Sequence, residues 1–364
     1  MTRARYQQIS IEDTPYYHCI SRCVRRAYLC GNDPVTGKNF DHRKAWLVTR
    51  IKELSSQFAV DICAYAVMSN HYHLVLHVNQ TQADDWSDAE VIERWTNLFP
   101  RNGALIETLV RNNSSKAAQK QLSEKVSLWR ERLMDISWFM RCLNETVARN
   151  ANREDRCSGR FWEGRFKSQA LLDEKALVTC MAYVDLNPIR AHMATSLETS
   201  DFTSIQERLL VQARRIRNKS TAQQRLVTRK AAKHLLDPSK SDKQFMLAEL
   251  EPLKRSFIHS NFITTKNYLS LLNTTARALG STSEQKDKAE TQLTAVHKSL
   301  SQLGISPRAW LLSVKEFHKF YPAAAGSTEA LFQHHQTCIR AGVNYKHPGK
   351  WIRGVKSSQA LYVT

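Results

Sequence analysis

His71 and His73 stand two residues apart in a segment, His71 to Val78, whose apolar and polar side chains alternate. Side chains of a strand alternate between its faces, so both imidazoles fall on one face, within reach of a single divalent ion. Two ligands do not complete a site, and a His-x-His pair by itself is more often incidental. Asn187, an oxygen donor one helical turn beyond Tyr183, is the natural third ligand if the helix carrying it lies across the His face. His77 continues that face, but at ~3.3 Å per residue it is roughly 13 Å from His73 and cannot share the ion. His18, on an earlier strand, either neighbours the site or packs in the sheet, and packing is the favoured reading. Basic groups surround these residues in sequence: Arg22, Arg25 and Arg26, then Arg160, Arg165 and Lys167. They are expected to contact phosphates, with Trp162 and Phe161 either stacking on bases or serving the core.

The elements that must position these groups follow from periodicity. Tyr16–Cys23, preceded by Pro15, reads as a strand. Leu47, Ile51, Leu54 and Phe58 recur at helical spacing after the candidate caps Asn39 and Asp41. Val60–Val67 and His71–Val78 flank Met68-Ser69-Asn70 as a hairpin, with Tyr72, Leu74, Leu76 and Val78 on the face opposite His71 and His73. Residues 79–135 have the character of an insertion with no evident chemistry of its own. A helix over Trp138–Asn150 and a strand over Arg165–Leu171 follow. Asp173 then caps a helix with the apolar stripe Leu177, Cys180, Met181 and Val184, ended by Pro188, and Tyr183 and Asn187 are placed on one flank where both can face a cleft. Beyond residue 200 the pattern is helical throughout, near 204–235, 241–257, 264–279, 283–303, 306–320 and 326–340.

Charge and composition narrow the class. The chain has 364 residues, enough for two domains at ~150 residues each. Its 53 Lys and Arg against 34 Asp and Glu give a net charge of +19, the footprint of a polyanion-binding protein. Residues 1–200 hold 27 basic and 23 acidic residues, and residues 201–364 hold 26 and 11, so the excess lies in the C-terminal part. Arg208 to Lys233 contains nine basic and no acidic residues, Arg214, Arg215 and Arg217 among them, and is expected to follow a phosphate backbone. No stretch approaches the ~20 apolar residues of a membrane span, and no apolar run follows the basic Met1–Tyr6, so no membrane association is expected and the cytoplasm is the expected compartment. Eight cysteines without a Cys-x-x-Cys pair suggest reduced packing residues rather than disulfides or a zinc knuckle.

Three segments taken together are far more specific than any one. Met68-Ser69-Asn70-His71-Tyr72-His73-Leu74-Val75 resembles the HUH (histidine, bulky hydrophobic, histidine) segment of single-tyrosine transposases. Gly159-Arg160-Phe161-Trp162-Glu163-Gly164-Arg165-Phe166-Lys167-Ser168 and Tyr183-Val184-Asp185-Leu186-Asn187-Pro188-Ile189-Arg190-Ala191 resemble the two other signatures of that family, and the REP-associated tyrosine transposases are the subgroup most similar. The resemblance covers roughly residues 13–200. It implies an α+β fold with a ferredoxin-like antiparallel sheet, the HUH endonuclease core, over 1–200, from which the 79–135 insertion departs; a basic all-helical DNA-binding domain over 201–364 is expected from charge and helical periodicity alone.

The resemblance further implies a Mg²⁺ or Mn²⁺ ion and cleavage and rejoining of single-stranded DNA beside a hairpin through a 5′-phosphotyrosine link, by a monomer or a homodimer. Carried over residue by residue, the nucleophile is Tyr183, the HUH ligands are His71 and His73, and the third ligand is Asn187. Tyrosine, with a pKa near ~10, is a weak nucleophile at neutral pH, so a cation polarising the phosphate fits the need. A competing reading is a DNA- or RNA-binding protein that keeps the fold without cleavage. A replication initiator or relaxase would share only the His pair.

Overall fold

The computed structural model describes residues 8–24, 29–33, 37–100, 116–219, 247, 263–280, 300 and 303–340. Nearly all of the candidate helices near 241–257 and 283–303 fall outside them, as do Arg25 and Arg26. The protein is α+β, with a five-stranded mixed sheet and, among the described residues, eleven helices. Strands β1 (Tyr16–Arg22), β2 (Val60–Val67), β3 (His71–Val78), β4 (Lys167–Leu171) and β5 (Ala324–Ala325) lie in the order β2-β3-β1-β4-β5. The first four are mutually antiparallel where they pair, which is the ferredoxin-like arrangement, and β5 adds in parallel to β4.

Pleat alternation divides the residues of β3 as the sequence predicts. Tyr72, Leu74, Leu76 and Val78 join a core with helix α1 (His42–Gln57) and the later α5 (Ile136–Glu154), through Leu47, Ile51, Phe139 and Leu143. His71 and His73 face the other side. In β2 a bulge between Ile62 and Ala64 resets the alternation, so Ile62 and Tyr65 share one face although one has an even number and the other an odd one. Asp41 precedes α1 without capping it through its side chain, because that carboxylate is held by Lys44 at 2.7 Å. Within the expected insertion, α2 (Gln80–Asp85), α3 (Asp88–Leu98) and α4 (Lys116–Leu133) close over a small core of their own, with Trp95 stacked on Trp129 at 5.7 Å.

The second face is covered by α6 (Glu174–Asp185). Asp173 caps it, its carboxylate accepting from the Ala176 amide at 2.8 Å. Pro188 has no N–H to give to the Val184 carbonyl, so α6 stops and a separate short helix, α7 (Asn187–Arg190), begins. The expected flank is buried together with the stripe, since every residue from Ala176 to Asp185 is buried, although Tyr183 still lines a cavity on this face. The reason lies beyond residue 200. Helices α8 (Ser204–Lys219), α9 (Thr265–Gly280) and α10 (Pro307–Phe320) share the core beneath and around α6 through Ile205, Tyr268, Trp310 and Phe317, and α11 (Thr328–Arg340) follows β5. The core thus runs across position 200, and the all-helical expectation for this region is corrected by β5, whose pairing extends the sheet. No helix among the described residues is long and apolar enough to cross a membrane.

Candidate active site

Register brings the histidines together. Arg22 lies opposite His71 and Ile20 opposite His73 across the β1–β3 ladder, while His18 lies opposite Gln169 across β1–β4. Even-numbered residues of β1 therefore share the face of His71 and His73. The result is a cavity of about 570 Å³ whose lining includes His18, His71, His73, Tyr183, Gln169 and His318. Arg22, Arg165 and Lys167 are exposed at its wall, against Glu163 as the one acidic residue lining it among the described residues.

His71 and His73 are each committed through one nitrogen, and His18 through both. His71 Nδ1 donates to the Asn70 Oδ1 at 2.6 Å, since an amide oxygen only accepts, which leaves Nε2 with its lone pair. His73 Nδ1 meets His18 Nε2 at 2.9 Å, and His73 Nε2 is buried without a hydrogen-bond partner. The rings of His71 and His73 meet edge to face at 4.9 Å between centroids. Burial keeps all three imidazoles neutral at physiological pH. It holds His18 and His71 at about 4, with Arg22 and His18 adding to the effect on His71, and it holds His73 well below the usual histidine value.

Tyr183 is 5% exposed. Its ring meets His73 edge to face at 5.7 Å, lies 5.4 Å from Phe317 of α10, and carries the Arg190 guanidinium 4.3 Å over its face. Burial raises the phenol above its ordinary value, and the charge and hydrogen bonding of Arg190 work against that rise. Arg190 is itself fixed by donating to the Lys315 carbonyl at 2.9 Å.

The structure brings together His71, His73 and Tyr183, with Arg22, Arg165 and Lys167 around them. Asn187 is buried beside α6, its Nδ2 without a partner, but is not among the residues lining the cavity. Trp162 is corrected from a base-stacking candidate to a core residue: it is 8% exposed, its Nε1 donates to the Asn144 carbonyl at 2.9 Å, and its ring packs edge-on against Tyr72. Arg160 is exposed and donates to the Glu163 carbonyl at 3.4 Å, outside the cavity lining. Arg214 is half-buried on α8, and Arg215 and Arg217 fall in the same helix. His77 stays apart, bonded to Asp61 at 2.9 Å.

Sequence reasoning missed or under-read four residues. The favoured packing role for His18 is incomplete, because it is both buried and bonded to His73, and the parity of β1 carried that signal. Arg190 sits in the quoted Tyr183–Ala191 segment, two helical turns after Tyr183. His318 and its neighbour Phe317 carried no signal, since helical periodicity does not say which face a distant helix covers.

The donor set suits a divalent cation in part. Two neutral imidazoles with free Nε2 atoms, one of them an orphaned buried lone pair, are what such an ion takes up. Among the described residues no three His, Cys, Asp or Glu side chains gather as ligands, so the remaining positions fall to amide, phosphate or water oxygens. Cys30 and Cys142 are buried, and burial raises Cys142 to about 11 and Cys30 to about 12, leaving inert thiols.

No protein-family model matches the chain, and no curated protein does. One solved structure similar to it is described as the structure of the REP-associated tyrosine transposase bound to a REP hairpin. The two share 12% identity with a TM-score of 0.35 over 57% of this chain and 86% of that one.

Proposed function

We propose that this chain is a metal-dependent single-stranded DNA endonuclease and strand transferase of the single-tyrosine HUH kind, acting beside hairpin sequences. The observation that carries the reading is the meeting of the orphaned His73 Nε2 and the Tyr183 ring in one basic-rimmed cavity. A Mg²⁺ or Mn²⁺ ion held by His71 and His73 would polarise the scissile phosphate and steady its leaving oxygen. Asn187, which does not itself line the cavity, is the proposed third ligand through its amide oxygen. Arg22, Arg165 and Lys167 hold the flanking phosphates as point charges and forks.

Tyr183 then attacks phosphorus through its hydroxyl oxygen. A Tyr–O–P bond forms, the bond from phosphorus to the 3′-oxygen breaks, and the products are a 5′-phosphotyrosine and a free 3′-OH that can reverse the step on another end. Arg190, above the ring, favours the phenolate that burial disfavours.

The binding-only alternative draws on the cover that Phe317 lays over Tyr183. A denaturing gel with hairpin-bearing single-stranded DNA and Mg²⁺ or Mn²⁺ separates the two. The enzyme reading expects a protein–DNA adduct that is lost in Tyr183→Phe, in His73→Ala and with chelator. Tight, salt-sensitive binding without an adduct favours the alternative.

A further inference from the structure

From His73 a chain of hydrogen bonds runs along residues of the cavity lining and ends on a main-chain carbonyl. Gln169 Nε2 donates to the Tyr321 carbonyl oxygen, just past the end of α10. A carbonyl only accepts, so this contact fixes which end of the Gln169 amide is NH₂. Its Oε1 is then the atom 2.9 Å from His18 Nδ1, and as an acceptor it obliges Nδ1 to carry the proton. Neutral His18 therefore has a bare Nε2, which accepts from His73 Nδ1 at 2.9 Å. With its proton on Nδ1, His73 has no proton on Nε2, the buried atom without a partner at the cavity. The order Tyr321 carbonyl, Gln169, His18, His73 has one consistent assignment of protons, and all three side chains are buried.

We propose that His18 and Gln169 are positioning residues: together they hold His73 as the Nδ1–H tautomer, so that Nε2 presents a lone pair to the cavity. Free imidazole prefers the other tautomer, with the proton on Nε2, which would close that position to a cation. His71 reaches the same state by a separate route, through Asn70. The Tyr321 carbonyl makes the β5-proximal segment of the C-terminal region part of this device. The inference deepens the metal-dependent reading above and rests on it only for the second of the two measurements that follow.

Histidine tautomers are read directly from long-range ¹H–¹⁵N correlation spectra of the full-length, metal-free and DNA-free protein at pH 7. The wild type is expected to show His71 and His73 both as Nδ1–H. In Gln169→Leu the His18 Nδ1 proton loses its acceptor, His18 turns to its Nε2–H form and donates to His73, and the His73 proton moves to Nε2. His18→Phe removes the acceptor itself and has the same expected result at His73, while His71 stays Nδ1–H in both variants as an internal control. Where His18→Phe does not fold, Gln169→Leu carries the test alone. In parallel, Mn²⁺ affinity without DNA is expected to fall about 10- to 100-fold in each variant. A wild-type His73 protonated at Nε2 overturns the proposal, as does a variant that keeps the Nδ1–H form. Unchanged Mn²⁺ affinity in a variant whose tautomer has switched also overturns it. A wild type that shows the tautomer chain but binds no Mn²⁺ supports the positioning role and contradicts the metal reading instead.

Discussion

At the residue scale, the site is a set of neutral imidazoles and a raised phenol, each shifted first by burial. The acid limb of stability follows. As pH falls from 6.5 towards 4, the unfolded chain protonates His18 and His71 while the folded chain does not, so stability is lost across that window and is flat in these groups above it. His71→Gln removes one such group, so its urea midpoint should drop less between pH 7 and pH 5 than that of the wild type; an equal or steeper drop would contradict the neutral, buried imidazole. Tyr183→Phe should cost no more than about 1.5 kcal/mol in urea unfolding, because only the hydroxyl is lost. A larger cost would make the loss of an adduct in that variant uninterpretable as chemistry. Trp162→Phe should leave DNA affinity unchanged, since its indole is spent on Asn144 and Tyr72. Weaker binding by a variant that still folds would return it to the DNA interface.

At the element scale, α6 carries Tyr183 and is held at its end by Asp185, which is fully buried. Its carboxylate accepts from Ser204 and, at 2.7 Å, from the Tyr268 hydroxyl, tying α6 to α8 and α9. Tyr268→Phe should destabilise the protein by about 1–3 kcal/mol in urea unfolding, because a buried acceptor loses a donor. A neutral outcome would show that water replaces the hydroxyl there. Strand parity made β3 legible from sequence, because a period of two leaves only one way to divide His71-Tyr72-His73-Leu74 between faces. Asp173 and Pro188 likewise marked α6, since a cap and a missing N–H act locally. What lay beyond local signals was the cover on α6. Its stripe of Leu177, Cys180, Met181 and Val184 identified one buried face, but the burial of the rest depends on Phe317 and Trp310, more than 120 residues away in the chain. The same gap hid β5, whose two residues are too few for any pattern.

At the scale of the whole molecule, charge and core run in opposite senses. The basic excess lies beyond residue 200, yet the described part of that region is bound into the N-terminal fold by β5, the Tyr321 and Lys315 carbonyls and a hydrogen bond between His334 Nδ1 and the Asp13 carboxylate at 3.0 Å. A chain cut at residue 200 should fail to melt cooperatively by circular dichroism, having lost Ile205, Tyr268, Trp310 and Phe317 from the core around α6. A sharp native-like transition would show instead that the first 200 residues fold alone. For single-stranded DNA, affinity should fall steeply with salt, and Arg22→Ala, Arg165→Ala and Lys167→Ala should each reduce the logarithmic salt slope by about 1. An unchanged slope would remove that side chain from the phosphate path.

The central claim is that Tyr183 forms the covalent link. Its most direct test is to incubate the wild-type protein with hairpin-bearing single-stranded DNA and Mn²⁺, digest the product with nuclease and protease, and sequence the nucleotide-bearing peptide by mass spectrometry. The expected result is a 5′-phosphonucleotide on Tyr183 and on no other residue. A nucleotide on a different side chain, or cleavage that leaves no modified peptide, would contradict it.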